Sequence, residues 1–378
     1  MENKCSRHLV VIQPSSYCNL NCKYCYVPDR DKKNVISDSL LEEIISKVIN
    51  SDELSKAITL LWHAGEPLSV GIGFYKKVNS LIKKYNKNNK KIIYNSIQTN
   101  ATYINDEWCH FFKENDYKIS ISCDGPEFLH NLNRVTWSNR GSYNLVMRGI
   151  NKLNEHNIPV SMLCTVTRET LKYPQELFQF FVDSKIKKIG LNPEGVKGRN
   201  KNGCFRDNEL TTILKEYRVF IEKLFELWKT TDNPLKIREF DVTLNIINQK
   251  KKDPNFKQMR SNQNALEIIT IQKNGNISTF CPELAGGTFE DPNKFVIKNI
   301  TEIDDFSELR SSKKLNTISE QIINGHKKCE KNCEYFDLCG GGNPNAKMYE
   351  KGTFDCDETT YCNLSRKLIY ETVISGLS

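Results

Sequence analysis

The 378-residue chain has no uninterrupted apolar run near the roughly 18 residues that a membrane helix needs. Its opening, MENKCSRHLVVIQ, offers neither a hydrophobic signal core nor a small-residue cleavage site. These two absences predict a cytoplasmic protein with no membrane partner. No block of single-signed charge occurs either. The 54 basic residues outnumber the 46 acidic ones, for a formal net charge of +8, but they are spread through stretches such as KKYNKNNKK. Runs of that kind are solvated faces and argue against a nucleic-acid partner. Internal repeats and low-complexity segments are also missing.

What the chain does have is cysteine. In a reducing compartment, fourteen cysteines do not read as a disulfide framework, so the clustered ones point to metal or redox chemistry. Three of them, Cys18, Cys22 and Cys25, fall within SSYCNLNCKYCYVPDR, and no fourth stands nearby.

Short β-branched runs alternate with helical patterns at residues 7–13, 57–62, 91–98, 117–122, 158–166 and 186–191. Six βα repeats predict an α/β fold, a partial (βα)6 barrel of the TIM type. In SDSLLEEIISKVI the apolar positions Leu40, Leu41, Ile44, Ile45, Val48 and Ile49 share one helical face, with Ser37 as N-cap. A longer helix is expected at about 207–228, and NGNIS (274–278) reads as a hairpin turn. Breaker-rich TTDNP and KKDPN end the alternation, which predicts a barrel domain over 1–230, a bridging segment over 231–280 and a cysteine-rich domain over 281–378. In parallel barrels the loops after the strands carry the chemistry. Here they are the Cys18 loop, HAGEP, QTNAT, SCDGP, TVTRE and NPEG.

Thiolates spaced C-x3-C-x2-C directly after a first strand can curl around one soft metal centre. Three thiolates on a four-iron cluster leave one iron open for a cofactor, whereas structural sites close all four positions. Three core cysteines, or a zinc site completed by a distant ligand such as His63, are the plainer alternatives.

CNLNCKYC resembles the signature of radical S-adenosylmethionine (SAM) enzymes. The resemblance implies a [4Fe-4S] cluster with an open site for SAM, reductive cleavage of SAM to a 5′-deoxyadenosyl radical, and abstraction of a substrate hydrogen. AGEP, Ala64 to Pro67, is similar to that family's GGEP motif, so Gly65 and Glu66 are expected to meet the SAM amino group. By the same likeness, Asn100 and Ser122 would face the ribose, Arg134 the SAM carboxylate and Tyr24 the adenine. Asn100 and Asp124 also read as ordinary turn residues, and Arg134 as an ion-pair partner.

The stretch KKCEKNCEYFDLCGGGNPNAKMYEKGTFDCDETTYC places Cys329, Cys333 and Cys339 close together, with Cys356 and Cys362 downstream. It resembles the auxiliary-cluster, or SPASM, extension of radical SAM peptide-modifying enzymes, which implies one auxiliary [4Fe-4S] cluster on Cys329, Cys333, Cys339 and Cys362. A four-cysteine zinc module uses similar spacing. Asn343 stands where two-cluster members carry a cysteine, and upstream only Cys281 is available.

Longer stretches, LLWHAGEPLSVGIGFY and CEYFDLCGGGNPNAKMYE among them, are similar to the cyclophane-forming maturases of ribosomal peptides. That likeness implies a precursor peptide with a leader and an aromatic-containing core, crosslinked between an aromatic ring and a nearby β-carbon. A reductant such as flavodoxin or ferredoxin would supply electrons. Glu283 and Asp124 are the candidates for the base. With Cys18 so near the start, leader recognition is expected on the barrel rim, on residues 230–280 or on a separate protein. Ether or thioether crosslinking, sulfatase maturation, and a non-catalytic iron–sulfur carrier are the alternative functions.

Overall fold

The computed structural model describes residues 7–201, 203–205, 209–232, 235–259, 261–285 and 289–377. Six strands recur where β-branched residues cluster: β1 (His8–Ile12), β2 (Ala57–Trp62), β3 (Ile92–Thr99), β4 (Lys118–Ser122), β5 (Val160–Val166) and β6 (Lys188–Pro193). Helices return the chain between them: α1 (Asp38–Asn50), α2 (Ile72–Tyr85), α3 (Asp106–Glu114), α4 (Glu127–Asn133), α5 (Tyr143–Glu155) and α6 (Pro174–Asp183). The Ser37 hydroxyl accepts the Leu40 N–H at 3.2 Å and so caps α1. The long helix is α7 (Leu210–Thr230).

All six strands pair in parallel with their sequence neighbours. The sheet does not stop at residue 230. β7 (Lys236–Ile237), which leads into α8 (Arg238–Lys252), extends one edge beside β6. β8 (Ile268–Ile271) adds in parallel beside β1, and β9 (Asn276–Thr279) turns back through Asn274 and Gly275. After the short helix α9 (Pro282–Ala285), β10 (Lys298–Asn299) completes the order β10-β9-β8-β1-β2-β3-β4-β5-β6-β7. β10 and β7 stand at opposite ends, so the described strands form an open barrel.

Strand alternation sorts the two faces. Val10 and Ile12, Ile58 and Trp62, Ile119 and Ile121, and Met162 and Cys164 enter the apolar core with the helices. The intervening positions give the concave face Gln98, Ser122, Thr165 and Thr270, a polar lining that suits a ligand rather than a packed interior.

The remaining chain is helical: α10 (Lys313–Asn332), α11 (Phe336–Cys339), α12 (Pro344–Lys351), α13 (Thr360–Cys362) and α14 (Leu368–Ser375). Helix α14 packs on α7 and α8. Among the described residues no helix is long and apolar enough to cross a membrane.

Candidate active site

The cysteine loop leaves β1 at the end of the strand where a parallel barrel carries its chemistry. It is pinned from several sides. Cys18 N–H donates to Arg30 O (2.8 Å), Trp137 Nε1 to Cys18 O (2.8 Å) and Arg30 Nη1 to Cys22 O (3.2 Å). Asn21 and Lys23 donate their N–H groups to Val135 O and Asn133 O, which ties the loop to the segment bearing Arg134.

Around Cys18 Sγ the donors converge: Leu20 N–H lies 3.4 Å away and Asn100 Nδ2 3.7 Å. Burial pushes the Cys18 thiol far up and the Cys22 thiol up to about 11. Apolar surroundings therefore keep these thiols protonated until a cation takes the proton's place. Donors aimed at a sulfur make sense for a thiolate ligand.

Glu66 is buried behind this loop. Its carboxylate accepts from Leu68 N (2.9 Å), Thr99 Oγ1 (2.6 Å) and Asn100 N (2.8 Å), which joins the turn after β2 to the end of β3. Burial pushes the Glu66 carboxyl up to about 7, against the pull of those three donors. The folded state thus holds this proton more tightly than the unfolded chain does. The stabilisation it brings is complete below the ordinary value of 4.5 and is lost as pH rises through about 7. Urea midpoints of the SAM-free protein between about pH 5 and about pH 8 should fall more steeply for wild type than for Glu66→Gln. Parallel curves would remove Glu66 as the source.

On the other side, Asp124 sits beyond β4 and Arg134 after α4. Arg134 Nε lies 3.0 Å from Asp124 Oδ2, and the two side chains are 9% and 4% exposed. The Tyr24 hydroxyl also bonds Oδ2, Thr165 N donates to Oδ1 at 3.0 Å, and the guanidinium lies 5.5 Å from the centre of the Tyr24 ring. Burial works against the charge on Arg134, and the carboxylate of Asp124 overrides it. Asp124 thus accepts from Tyr24 and Thr165 and is ion-paired with Arg134, which joins the loop after β4 to β5 and to the cysteine loop. Ser122 accepts from Gln98 Nε2 at 2.8 Å across the concave face. Asn100 spends its amide on Cys18, Asn19 Oδ1 (2.9 Å) and Thr102, so it acts on the cysteine loop as well as lining the site.

A cavity of about 230 Å³ opens beside the loop, lined by Val11, Gln13, Tyr26, His63, Thr270 and Pro282 among others. His63 Nε2 meets the Tyr26 hydroxyl at 3.1 Å, and burial lowers the pKa of the imidazole. His63 is thus held by Tyr26 at the edge of this cavity. Glu283 stands next to this cavity on α9, 3.4 Å from Lys197 Nζ. Sequence reasoning missed Tyr26, Lys197 and the bond from Thr99 to Glu66; Tyr26 could have been found from its place directly after Cys25.

The auxiliary cysteines surround a smaller cavity of about 40 Å³, lined by Cys329, Cys333, Cys339 and Cys362 with Gly341 and Gly342. Gly340, Gly341 and Gly342 all take positive φ (68°, 98° and 66°), and Gly342 N–H points at Cys339 Sγ from 3.4 Å. Cys356 instead contacts Thr353 O at 3.8 Å, and Cys281 lies 3.7 Å from Asn343 Oδ1. Among the described residues no three side chains are gathered tightly enough to hold one metal ion. The donor chemistry fits an iron–sulfur cluster: four cysteines line one cavity and Gly342 N–H points at one of the sulfurs.

Residues 12–181 match the Radical SAM superfamily model. A cysteine-type anaerobic sulfatase-maturating enzyme of Clostridium novyi is 31% identical over 98% of this chain and 96% of its own. The chain belongs to the radical SAM superfamily. An uncharacterized protein of Synechocystis sp. is 36% identical over 98% of this chain and 92% of its own. Among solved structures, anSMEcpe with bound AdoMet superposes with a TM-score of 0.80 at 26% identity, covering 98% of both chains. SuiB of Streptococcus suis bound to precursor peptide SuiA shares the fold, at TM-score 0.59 and 18% identity over 95% of this chain and 77% of that one. This radical SAM enzyme accordingly uses SAM and [4Fe-4S] chemistry, and it carries donor sets for both an open and a closed cluster.

Proposed function

We propose that this radical SAM enzyme modifies a peptide substrate by removing hydrogen from a side-chain carbon, in the manner of sulfatase maturation. The full-length likeness to the sulfatase-maturating enzyme of C. novyi carries the reading. The overlap with anSMEcpe, solved with AdoMet and a peptide, supports it.

In this reading Cys18, Cys22 and Cys25 hold the open cluster, with Leu20 N–H and Asn100 steadying Cys18. When bound, the cluster and SAM supply a 5′-deoxyadenosyl radical able to take a hydrogen atom from carbon. Gly65 and Glu66 shape the seat of the SAM amino group, Asn100 and Ser122 that of the ribose, and Tyr24 that of the adenine; Arg134 offers positive charge near the carboxylate. The substrate side chain enters the cavity beside Tyr26 and His63; Glu283 receives the proton that leaves the carbon radical, and the auxiliary cluster on Cys329, Cys333, Cys339 and Cys362 would accept the accompanying electron. Lys197, 3.4 Å away, orients Glu283. A flavodoxin or ferredoxin would supply the initiating electron.

One observation favours crosslinking as a second reading. Asn343 and a lone Cys281 leave donors for a single auxiliary cluster, fewer than sulfatase-activating enzymes usually carry. The two readings separate by product. Coexpression with a cysteine-containing sulfatase peptide should yield an aldehyde that hydrazide reagents capture. Loss of two hydrogens without an aldehyde, on a precursor encoded by a neighbouring short reading frame, would establish the crosslinking reading instead. Glu283→Gln should still cleave SAM but stall product formation in either case; full product would remove Glu283 as the base.

A further inference from the structure

Beside the auxiliary cavity lies a cation that the peptide chemistry does not use. Lys347, on α12, is 3% exposed. Its Nζ donates to Gly325 O at 3.2 Å and lies 3.4 Å from Cys329 Sγ. Two glycines clear its path: a Cβ at Gly325 would sit 3.0 Å from Nζ, and one at Gly342 3.3 Å from Cε. The lysine that lines this cavity, Lys367, is neutralised by Glu358 at 2.8 Å. Lys347 has no such carboxylate among the described residues.

An ammonium taken out of water costs several kcal/mol unless an opposite charge answers it. Among the described residues no carboxylate lies within ion-pair distance of Nζ; Asp357, which lines the same cavity, feels its charge from farther away, and the group Nζ touches is Cys329 Sγ. We propose that Lys347 is the built-in countercharge of the auxiliary cluster and sets its reduction potential. The inference rests on reading Cys329, Cys333, Cys339 and Cys362 as cluster ligands, and not on the identity of the peptide. A cubane on four thiolates is a dianion when oxidised and gains one further negative charge on reduction. Net charge and hydrogen bonds to sulfur are the levers that set such potentials. A fixed ammonium at hydrogen-bond distance from one thiolate acts through both, and it favours the reduced form.

The test is a redox titration of anaerobically reconstituted holoenzyme followed by EPR, with the auxiliary signal taken as the one that added SAM leaves unperturbed. Lys347→Met should make reduction at least about tenfold less favourable, a midpoint about 59 mV lower for one electron, while Lys347→Arg stays near wild type. A Lys347→Met midpoint equal to wild type overturns the proposal. Should Lys347→Met lose the auxiliary iron, Lys347→Arg decides. Iron kept by the arginine variant upholds the charge role, and iron lost from both assigns Lys347 to packing and overturns it. A wild-type enzyme holding about four irons rather than about eight would instead refute the cluster reading, a failure that leaves the peptide assay untouched.

Discussion

Replacing Gly65 with alanine is expected to lower reductive SAM cleavage by about 100-fold or more while the auxiliary iron stays in place. Gly65 has φ +68°, and a Cβ there would meet Ser15 O well inside contact distance and Tyr17 O at 2.8 Å. Both carbonyls belong to the strand-to-loop passage just before Cys18. The next residue is stitched to the same spot, since Glu66 N–H donates to Tyr17 O at 2.7 Å. Side chain and carbonyl cannot share that volume, so either the cysteine loop or the Glu66 turn must shift. A displacement of about 1 Å in a reacting site is enough for a loss of that size. Ala64 is the internal control: it already sits at φ +69°, and Ala64→Gly relieves about 1 kcal/mol of left-handed strain. That variant should stay active and melt slightly higher. Normal SAM cleavage by Gly65→Ala would show that the turn does not position the loop.

The second large effect concerns Asp124. Asp124→Asn leaves Arg134 buried without its countercharge and should cost about 3–5 kcal/mol of stability, read as a lower urea midpoint. The effect belongs to the pair. The neutral double variant Asp124→Asn with Arg134→Gln should recover much of the loss, because replacing both ions removes the penalty that one alone leaves behind. Since Lys23 and Asn21 hang from the backbone on either side of Arg134, the single variant should also loosen the cysteine loop and weaken SAM binding. Equal stability of Asp124→Asn and wild type would mean that the ion pair contributes no net stability.

The parallel strands were legible because their β-branched runs sit at regular spacing between amphipathic helices. Ser37 was legible as a cap because a serine before an apolar-periodic run has one obvious use. The three-cysteine loop and the GEP turn were legible because their spacing is local. The continuation of the sheet past residue 230 was not. β8 carries only four residues, IITI, and its partner β1 lies more than 250 positions upstream, so no local pattern announces the pairing. The surroundings of Asp124 were illegible for a related reason. Its loop marks it as functional, but its partners Tyr24 and Arg134 are brought to it only by the fold. The closeness of Lys347 to Cys329, eighteen positions away in sequence, is likewise a tertiary fact, allowed by Gly325 and Gly342.

The most direct measurement is SAM turnover by anaerobically reconstituted enzyme with dithionite. The account predicts 5′-deoxyadenosine and methionine from wild type and none from Cys25→Ser, with the auxiliary iron intact in both. Full iron loading without 5′-deoxyadenosine above the Cys25→Ser background would contradict it.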